Sequence, residues 1–116
     1  MRPLLTIDAM RGAYAYLTET EPFKRWNLPD AEDVKFSLIR DQWTRGTYQR
    51  IKKRHHIALS LGTIKRTISL IEAMAHEMIH LHEENVRACG RGEHSAAFNK
   101  WADLVCKVHG FDRGLF

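Results

Sequence analysis

A histidine pair and a glutamate in residues 73–85, the stretch AMAHEMIHLHEEN, have a spacing that suits metal chemistry. His76 and His80 are four residues apart, and residues at that spacing lie one above the other on the same face of an α-helix. Imidazoles placed in this way can bind one zinc ion. Glu77 falls about 100° around the helix from His76, where a carboxylate can act as general base on a metal-bound water. The pattern predicts a zinc site with hydrolytic chemistry.

A catalytic zinc site usually has three protein ligands and one open position. Candidates for the third ligand are His94, Glu93, Asp103, His109, His82, His55 and His56. His82 lies about 200° around the helix from His80, so we expect it to face away from the metal. His55 and His56 come at the start of a predicted strand, where we expect surface positions.

The order of residues after the histidine pair favours His94 as the third ligand. His94 follows residues 89–92, a turn that contains two glycines, and it opens the last predicted helix. A two-helix hairpin folding back at that turn would bring His94 towards His76 and His80. Phe98, one turn later, would anchor the helix in the core, and Glu93 is the alternative ligand.

The elements that must position these residues are predicted from hydrophobic spacing. Met10, Ala13, Tyr14 and Leu17 follow a helical period. Alternation of apolar and polar residues predicts a strand over Val34–Ile39, and two more strands follow at 45–51 and 55–61. The spacing of Ser69 and Glu72 matches a capping box and predicts a second helix over 69–88, stopped by Gly90 and Gly92. A last helix is predicted over 95–109, with Gly110 as its C-terminal stop.

Short connections between the predicted strands favour an antiparallel meander. The fold class is therefore α+β: an N-terminal helix, a small three-stranded, mainly antiparallel sheet, the helix with the histidine pair, and a C-terminal helix. Glu83 and Glu84 are expected at the wet edge of the histidine helix, where Glu83 could also orient a ligand histidine.

Length and composition exclude several classes of protein. A chain of 116 residues suits one domain, here residues 1–116. It shows no signal peptide and no apolar run of about 18 residues, so we expect no membrane partner. The two cysteines, Cys89 and Cys106, form no CxxC pair, which excludes a disulfide framework and a cysteine-only zinc ribbon. Free buried thiols in the cytoplasm are expected.

Basic residues are concentrated in the segment 40–54 of a chain whose net charge is +4. Trp43 and Tyr48 are interleaved with them, so a basic hairpin could bind phosphates and stack on unpaired bases. The alternative is a solvated hairpin whose aromatic residues face the core. The candidate nucleic-acid-binding residues are Arg45, Arg50, Lys52, Lys53 and Arg54.

The histidine pattern also resembles a known family. His76-Glu77-Met78-Ile79-His80, followed by thirteen residues and then by His94-Ser95-Ala96-Ala97-Phe98, is similar to the SprT-like (Spartan-type) zinc metalloproteases. Residues 57–60 resemble the strand that precedes the metal helix in that family, and residues 27–29 resemble its loop before the sheet. Ser95 departs from the pattern, because the family often has glycine there. Many relatives carry a C-terminal zinc ribbon, which we do not expect here because the sequence ends seven residues after His109.

The resemblance implies a minimal zincin-like fold and a zinc metalloprotease with one catalytic Zn²⁺ held by His76, His80 and His94. It implies a protein or peptide substrate, with DNA-associated proteins as a candidate class, DNA as a candidate partner, and a cytoplasmic or nucleoid-associated location. Residues 57–60 could form a sheet edge that pairs with an extended substrate. The alternative is an interior strand. The alternative function is a non-catalytic, zinc-stabilised module that binds DNA or protein.

Overall fold

The structure is a computed structural model that describes residues 4–86 and 94–116. Across these residues the chain forms three α-helices and three strands, which confirms the α+β class. In chain order the elements are α1 (Ile7–Thr18), β1 (Val34–Ile39), β2 (Gly46–Ile51), β3 (Arg54–Ser60), α2 (Thr67–Val86) and α3 (Ala96–His109). Short 3₁₀ turns at Phe23–Arg25 and Ala31–Asp33 connect α1 to the sheet.

The sheet is mixed, with strand order β1-β3-β2, so the expected antiparallel meander is wrong. β3 pairs in parallel with β1 and antiparallel with β2. β3 lies in the middle because it is the strand with the most buried residues, and it alternates His55, Ile57 and Leu59 towards the core. Of the two alternatives for residues 57–60, the interior strand is therefore the one observed.

The connection between β1 and β2 explains how consecutive strands end up apart. Residues 40–45 cross the end of β3, and a connection of that length spans the roughly 10 Å between second-neighbour strands. Ser60 at the end of β3 holds the crossing segment: its amide donates to the carbonyl of Arg45 at 2.9 Å, and its hydroxyl donates to the carbonyl of Asp41 at 2.6 Å. A short connection therefore does not require direct pairing of β1 with β2.

The helices cover the sheet with the apolar faces that their spacing predicts. In α1, Met10, Ala13, Tyr14 and Leu17 are buried, which confirms the predicted face of this helix. The start of α2 differs from the expectation: it begins at Thr67, so the capping box at Ser69 is wrong. The amide of Leu70 already bonds to the carbonyl of Arg66 at 3.1 Å, which places Ser69 inside the first turn.

The last helix has the expected ends. Ser95 is its N-cap and accepts a hydrogen bond from the amide of Phe98 at 3.1 Å. Gly110 ends it with φ of 76°, a left-handed conformation that favours glycine. Cys106 is a buried free thiol, as expected. The predicted end of α2, with Cys89, Gly90 and Gly92, lies outside the described residues.

Helices, sheet and the turns between them share one hydrophobic core. Within the ranges described, no helix combines the length and the apolar character that crossing a membrane requires.

Candidate metal centre

The three predicted histidines converge at one point of the structure. His76 and His80 lie one turn apart on α2 with ring centroids 5.1 Å apart, and His94 lies 5.1 Å and 5.8 Å from those rings. One ring nitrogen from each histidine lies within 4.8 Å of the others. The placement of His94 beside the histidine pair is thus confirmed, whereas the turn predicted at residues 89–92 lies outside the described residues.

The donor set fits a zinc ion. The Nε2 atoms of His76 and His94 are 3.3 Å apart. Nitrogens that bind one tetrahedral zinc at about 2.0–2.1 Å are separated by about 3.3 Å, so these atoms can share an ion without a large rearrangement. Burial lowers the pKa of His76 to about 3, with His80 adding to the effect, and this keeps the imidazole in the neutral form that binds metal.

The ring of Phe98 contacts the rings of all three histidines. Its side chain is fully buried, and its ring stacks on His94 and on His80 with centroid distances of 4.4 Å each. The ring of His76 lies 5.0 Å away at a tilt. One buried phenyl ring therefore packs against three imidazoles and restricts their orientations. The prediction that Phe98 anchors the last helix in the core did not include this role.

The second nitrogen of each α2 histidine faces an oxygen. Nδ1 of His76 lies 2.8 Å from the main-chain oxygen of Phe116. Nδ1 of His80 lies 3.5 Å from one carboxylate oxygen of Glu83. The other carboxylate oxygen of Glu83 accepts a hydrogen bond from the hydroxyl of Ser95. Oxygen partners of this kind orient metal-binding histidines in proteins. Glu83 is buried, so its expected place at the wet edge is wrong, whereas Glu84 is exposed.

Glu77 is only 5% exposed and lies beside the first strand residue of β2. A Cβ atom on Gly46 would lie 3.3 Å from a carboxylate oxygen of Glu77. Burial raises the pKa of Glu77 to about 8, and the nearby Arg45 opposes that rise. A carboxylate whose pKa is close to neutral suits a general base.

Four of the other candidate ligands have partners elsewhere. His82 faces away as predicted and stacks on Trp26 with centroids 4.1 Å apart. Contrary to expectation, His55 is buried within β3, where its Nδ1 lies 2.6 Å from the hydroxyl of Tyr48. Asp103 pairs with Arg113 at 2.7 Å. His109 lies within hydrogen-bond distance of Thr20 and of the carbonyl of Glu21, and Glu93 lies outside the described residues.

The basic residues of the hairpin divide into two groups. Arg45 is half-buried and donates to the main-chain oxygens of Leu115 and Phe116, so its guanidinium is engaged within the molecule. The others are exposed around the turn between β2 and β3: Arg50, Lys52, Lys53 and Arg54. Tyr48 is half-buried against His55, whereas Trp43 is 92% exposed. Four candidate cations and one aromatic side chain are therefore available at the surface.

Some contributors to the site are not predicted by the sequence. Phe116 acts through a main-chain oxygen, which carries no signal in its side chain. Gly46 does carry a signal, because a glycine opening a strand often marks a close approach by another group. Ser95 stands out in the sequence only as a departure from a family pattern, yet it caps α3 and binds Glu83.

In this α+β fold, three histidines that could hold a metal ion and a buried glutamate meet between α2 and the start of α3. The model of the SprT-like family matches residues 14–113, and the chain belongs to that family. The family is metalloprotease-like and associated with zinc. Comparison with curated proteins and with solved structures gives no significant match.

Proposed function

We propose that this protein is a zinc-dependent endopeptidase. The observation that carries the proposal is the convergence of His76, His80 and His94 with Glu77 buried beside them. A site with a purely structural role has no need of Glu77, and burying a carboxylate without a function costs stability. A zinc ion held by the three histidines would supply Lewis acidity and would lower the pKa of a bound water.

Glu77 is the general base in this proposal. It takes a proton from the water that attacks the scissile carbonyl carbon, and it gives that proton to the leaving amine as the peptide bond breaks. Burial raises the pKa of Glu77, which favours the protonated carboxyl that the transfer to the leaving amine starts from. The buried surroundings that raise it also keep competing water away from the carboxylate.

An extended peptide would pair with β2. Among residues 4–86 and 94–116, this strand has a neighbour on one side only, and its first residue, Gly46, lies against Glu77. Main-chain hydrogen bonds to a free edge hold a substrate in extended form without demanding a particular sequence. DNA-associated proteins are the proposed substrate class, supported by the family and by the exposed cations at the turn between β2 and β3.

The test compares the wild type with Glu77→Gln and His94→Ala, using casein as an unstructured probe substrate, with and without single-stranded DNA. Glu77→Gln should bind one zinc per chain and lose at least about 100-fold in cleavage rate. His94→Ala should lose both metal and cleavage. Wild-type cleavage by Glu77→Gln would refute the mechanism. A wild type that holds zinc and DNA but cleaves nothing would favour the alternative, a non-catalytic binding module.

A further inference from the structure

The residues after α3 fold back onto the helix that carries the histidine pair. Asp112 begins a tight turn, because its carbonyl accepts from the amides of Leu115 and Phe116, both at 3.0 Å. Its side chain also accepts from the amide of Gly114 at 2.9 Å. Residues 112–116 therefore have a defined local shape, which we term the C-terminal turn.

Arg113 fastens the C-terminal turn to α3. Its guanidinium donates to Asp103 at 2.7 Å and to Asn99 at 3.0 Å, and both partners lie on the exposed side of that helix. The ring of Phe116 is buried and lies 5.3 Å from the ring of His76. The turn is thus attached to α3 at one end and packs against α2 at the other.

Arg45 joins the C-terminal turn to the rest of the site. Its Nη2 donates to the main-chain oxygen of Leu115 at 2.8 Å and to that of Phe116 at 3.3 Å. Its Nη1 lies 3.8 Å from a carboxylate oxygen of Glu72, a buried residue one turn before His76 on α2. Arg45 thus spans from α2 to the turn, and its planar guanidinium can hold several oxygens at once.

These contacts determine which nitrogen of His76 carries the proton. The oxygen of Phe116 is 2.8 Å from Nδ1, and a main-chain oxygen can only accept a hydrogen bond. Nδ1 of His76 must therefore be the protonated nitrogen, which leaves Nε2 with a free electron pair. Nε2 is the atom that lies 3.3 Å from Nε2 of His94.

We propose that Arg45 and the main-chain oxygen of Phe116 are positioning groups for His76: they fix its tautomer and ring direction before metal arrives. The proposal rests on the metal site of the proposed function, and it assigns to Arg45 a structural task in place of nucleic-acid binding. An orienting partner of this kind is worth about 10–100-fold in metal affinity.

The first test measures zinc affinity by competition with a chromophoric chelator, without any cleavage assay. Arg45→Met should weaken Zn²⁺ binding by about 10–100-fold, and Arg45→Lys should recover part of that loss. Deletion of residues 114–116, which removes the accepting oxygen, should weaken binding similarly. Arg40→Met is the matched control, since Arg40 is an exposed arginine of the same connection, and its affinity should equal that of the wild type.

The second test reads the tautomer in metal-free protein by long-range ¹H–¹⁵N NMR of the histidine rings. His76 should carry its proton on Nδ1 in the wild type and in Arg40→Met, and should shift towards Nε2 after deletion of 114–116. Unfolding curves in the presence of chelator identify the variants that remain folded. Arg45→Lys is the substitution least expected to disturb folding, because it keeps the positive charge.

The outcomes separate this proposal from the proposed function. Folded variants that keep both wild-type zinc affinity and the Nδ1 tautomer would overturn the positioning role and leave the metalloprotease proposal standing. A wild type that binds no zinc would refute the proposed function, while the NMR measurement would still decide whether Phe116 fixes His76.

Discussion

Gly46 of β2 and Glu77 of α2 lie so close together that a side chain on Gly46 would crowd the carboxylate. A Cβ atom at Gly46 would lie 3.3 Å from Glu77, 2.8 Å from the carbonyl oxygen of Ala58 and 2.5 Å from the side chain of Leu59. The first two are a buried carboxylate and a strand carbonyl, neither of which can move freely. The absence of a side chain at Gly46 therefore lets the proposed general base approach the sheet.

Gly46→Ala should accordingly destabilise the protein and displace Glu77. We expect a loss of about 1–3 kcal/mol in the free energy of unfolding, as for other overpacked core positions, together with lower cleavage activity. Chemical denaturation and the casein assay measure the two effects. Gly12→Ala is the control: Gly12 is an exposed position in α1 where an added methyl group would meet no atom within 4 Å, so alanine should stabilise by up to about 1 kcal/mol. Equal behaviour of the two variants would contradict the close-approach argument.

Ser95 should matter to both helices of the site. Ser95→Ala removes the N-cap of α3 and the hydroxyl that binds the carboxylate of Glu83. We expect a loss of about 1–2 kcal/mol in the free energy of unfolding, and weaker zinc binding because Glu83 faces His80. Ser95→Thr keeps the hydroxyl and should lose much less of either. If Ser95→Ala binds zinc as tightly as the wild type, the link from Ser95 through Glu83 to His80 is wrong.

His55 should make stability depend on pH away from the metal site. Burial lowers its pKa below the ordinary value of 6.5, helped by Arg50 and opposed by Glu84. The folded protein therefore binds fewer protons at His55 than the unfolded chain does, so its stabilising contribution is present above about pH 6.5 and is lost as pH falls. The hydroxyl of Tyr48, whose pKa is raised by burial, keeps its proton and lies 2.6 Å from Nδ1 of His55.

The measurement compares unfolding curves of the wild type and His55→Gln between pH 5 and pH 7.5 in chelator. The difference in free energy of unfolding between them should shrink as the pH falls. The difference is the useful quantity, because His76 also destabilises the folded state in acid and contributes equally to both proteins. A difference that stays constant over this range would show that His55 titrates normally.

Local patterns in the sequence are sufficient to predict most of the elements and the convergence of three histidines. The apolar period of α1 identifies its buried face, and the order of histidine pair, glycine turn and His94 identifies the three converging imidazoles. These signals are local: each depends on a helical period or on glycines a few residues before the third histidine. The order of strands in the sheet depends on contacts that are distant in sequence. A short connection does not show which strands pair, because a six-residue segment can cross the end of one strand as well as form a hairpin.

Residues that act through the main chain or through buried charge are harder to place from sequence. Arg45 looks like one of the surface cations because charge in a sequence indicates solvent exposure, whereas its partners are the carbonyls of residues 115 and 116, far away in the chain. Glu83 looks like part of the wet edge because a run of acidic residues usually faces water. In the structure its neighbours His80 and Ser95 allow it to be buried. Such roles depend on tertiary contacts.

The turn between β2 and β3 is built from two lysines in a conformation that disfavours them. Ile51 pairs with Arg54, so Lys52 and Lys53 form a two-residue loop, and their φ angles are 50° and 69°. Such turns favour Asn-Gly, because other residues lose roughly 1–2 kcal/mol each in the left-handed region. Asparagine keeps part of this penalty and glycine loses more backbone entropy on folding, so the two gains do not add in full. The double variant Lys52→Asn/Lys53→Gly should therefore raise the free energy of unfolding by about 1–2 kcal/mol, measured by chemical denaturation.

The same variant tests nucleic-acid binding at this exposed turn. If both lysines contact phosphates, removing them should weaken single-stranded DNA binding and reduce the slope of log affinity against log salt by about 1.4. The matched control replaces two exposed lysines of α3, Lys100 and Lys107, with glutamine, which removes equal charge elsewhere. A stabilised variant whose salt slope equals that of the control would place any DNA contact away from the turn. A loss of affinity despite higher stability would mean that the strained lysines are kept for phosphate binding, since folding alone would favour Asn-Gly.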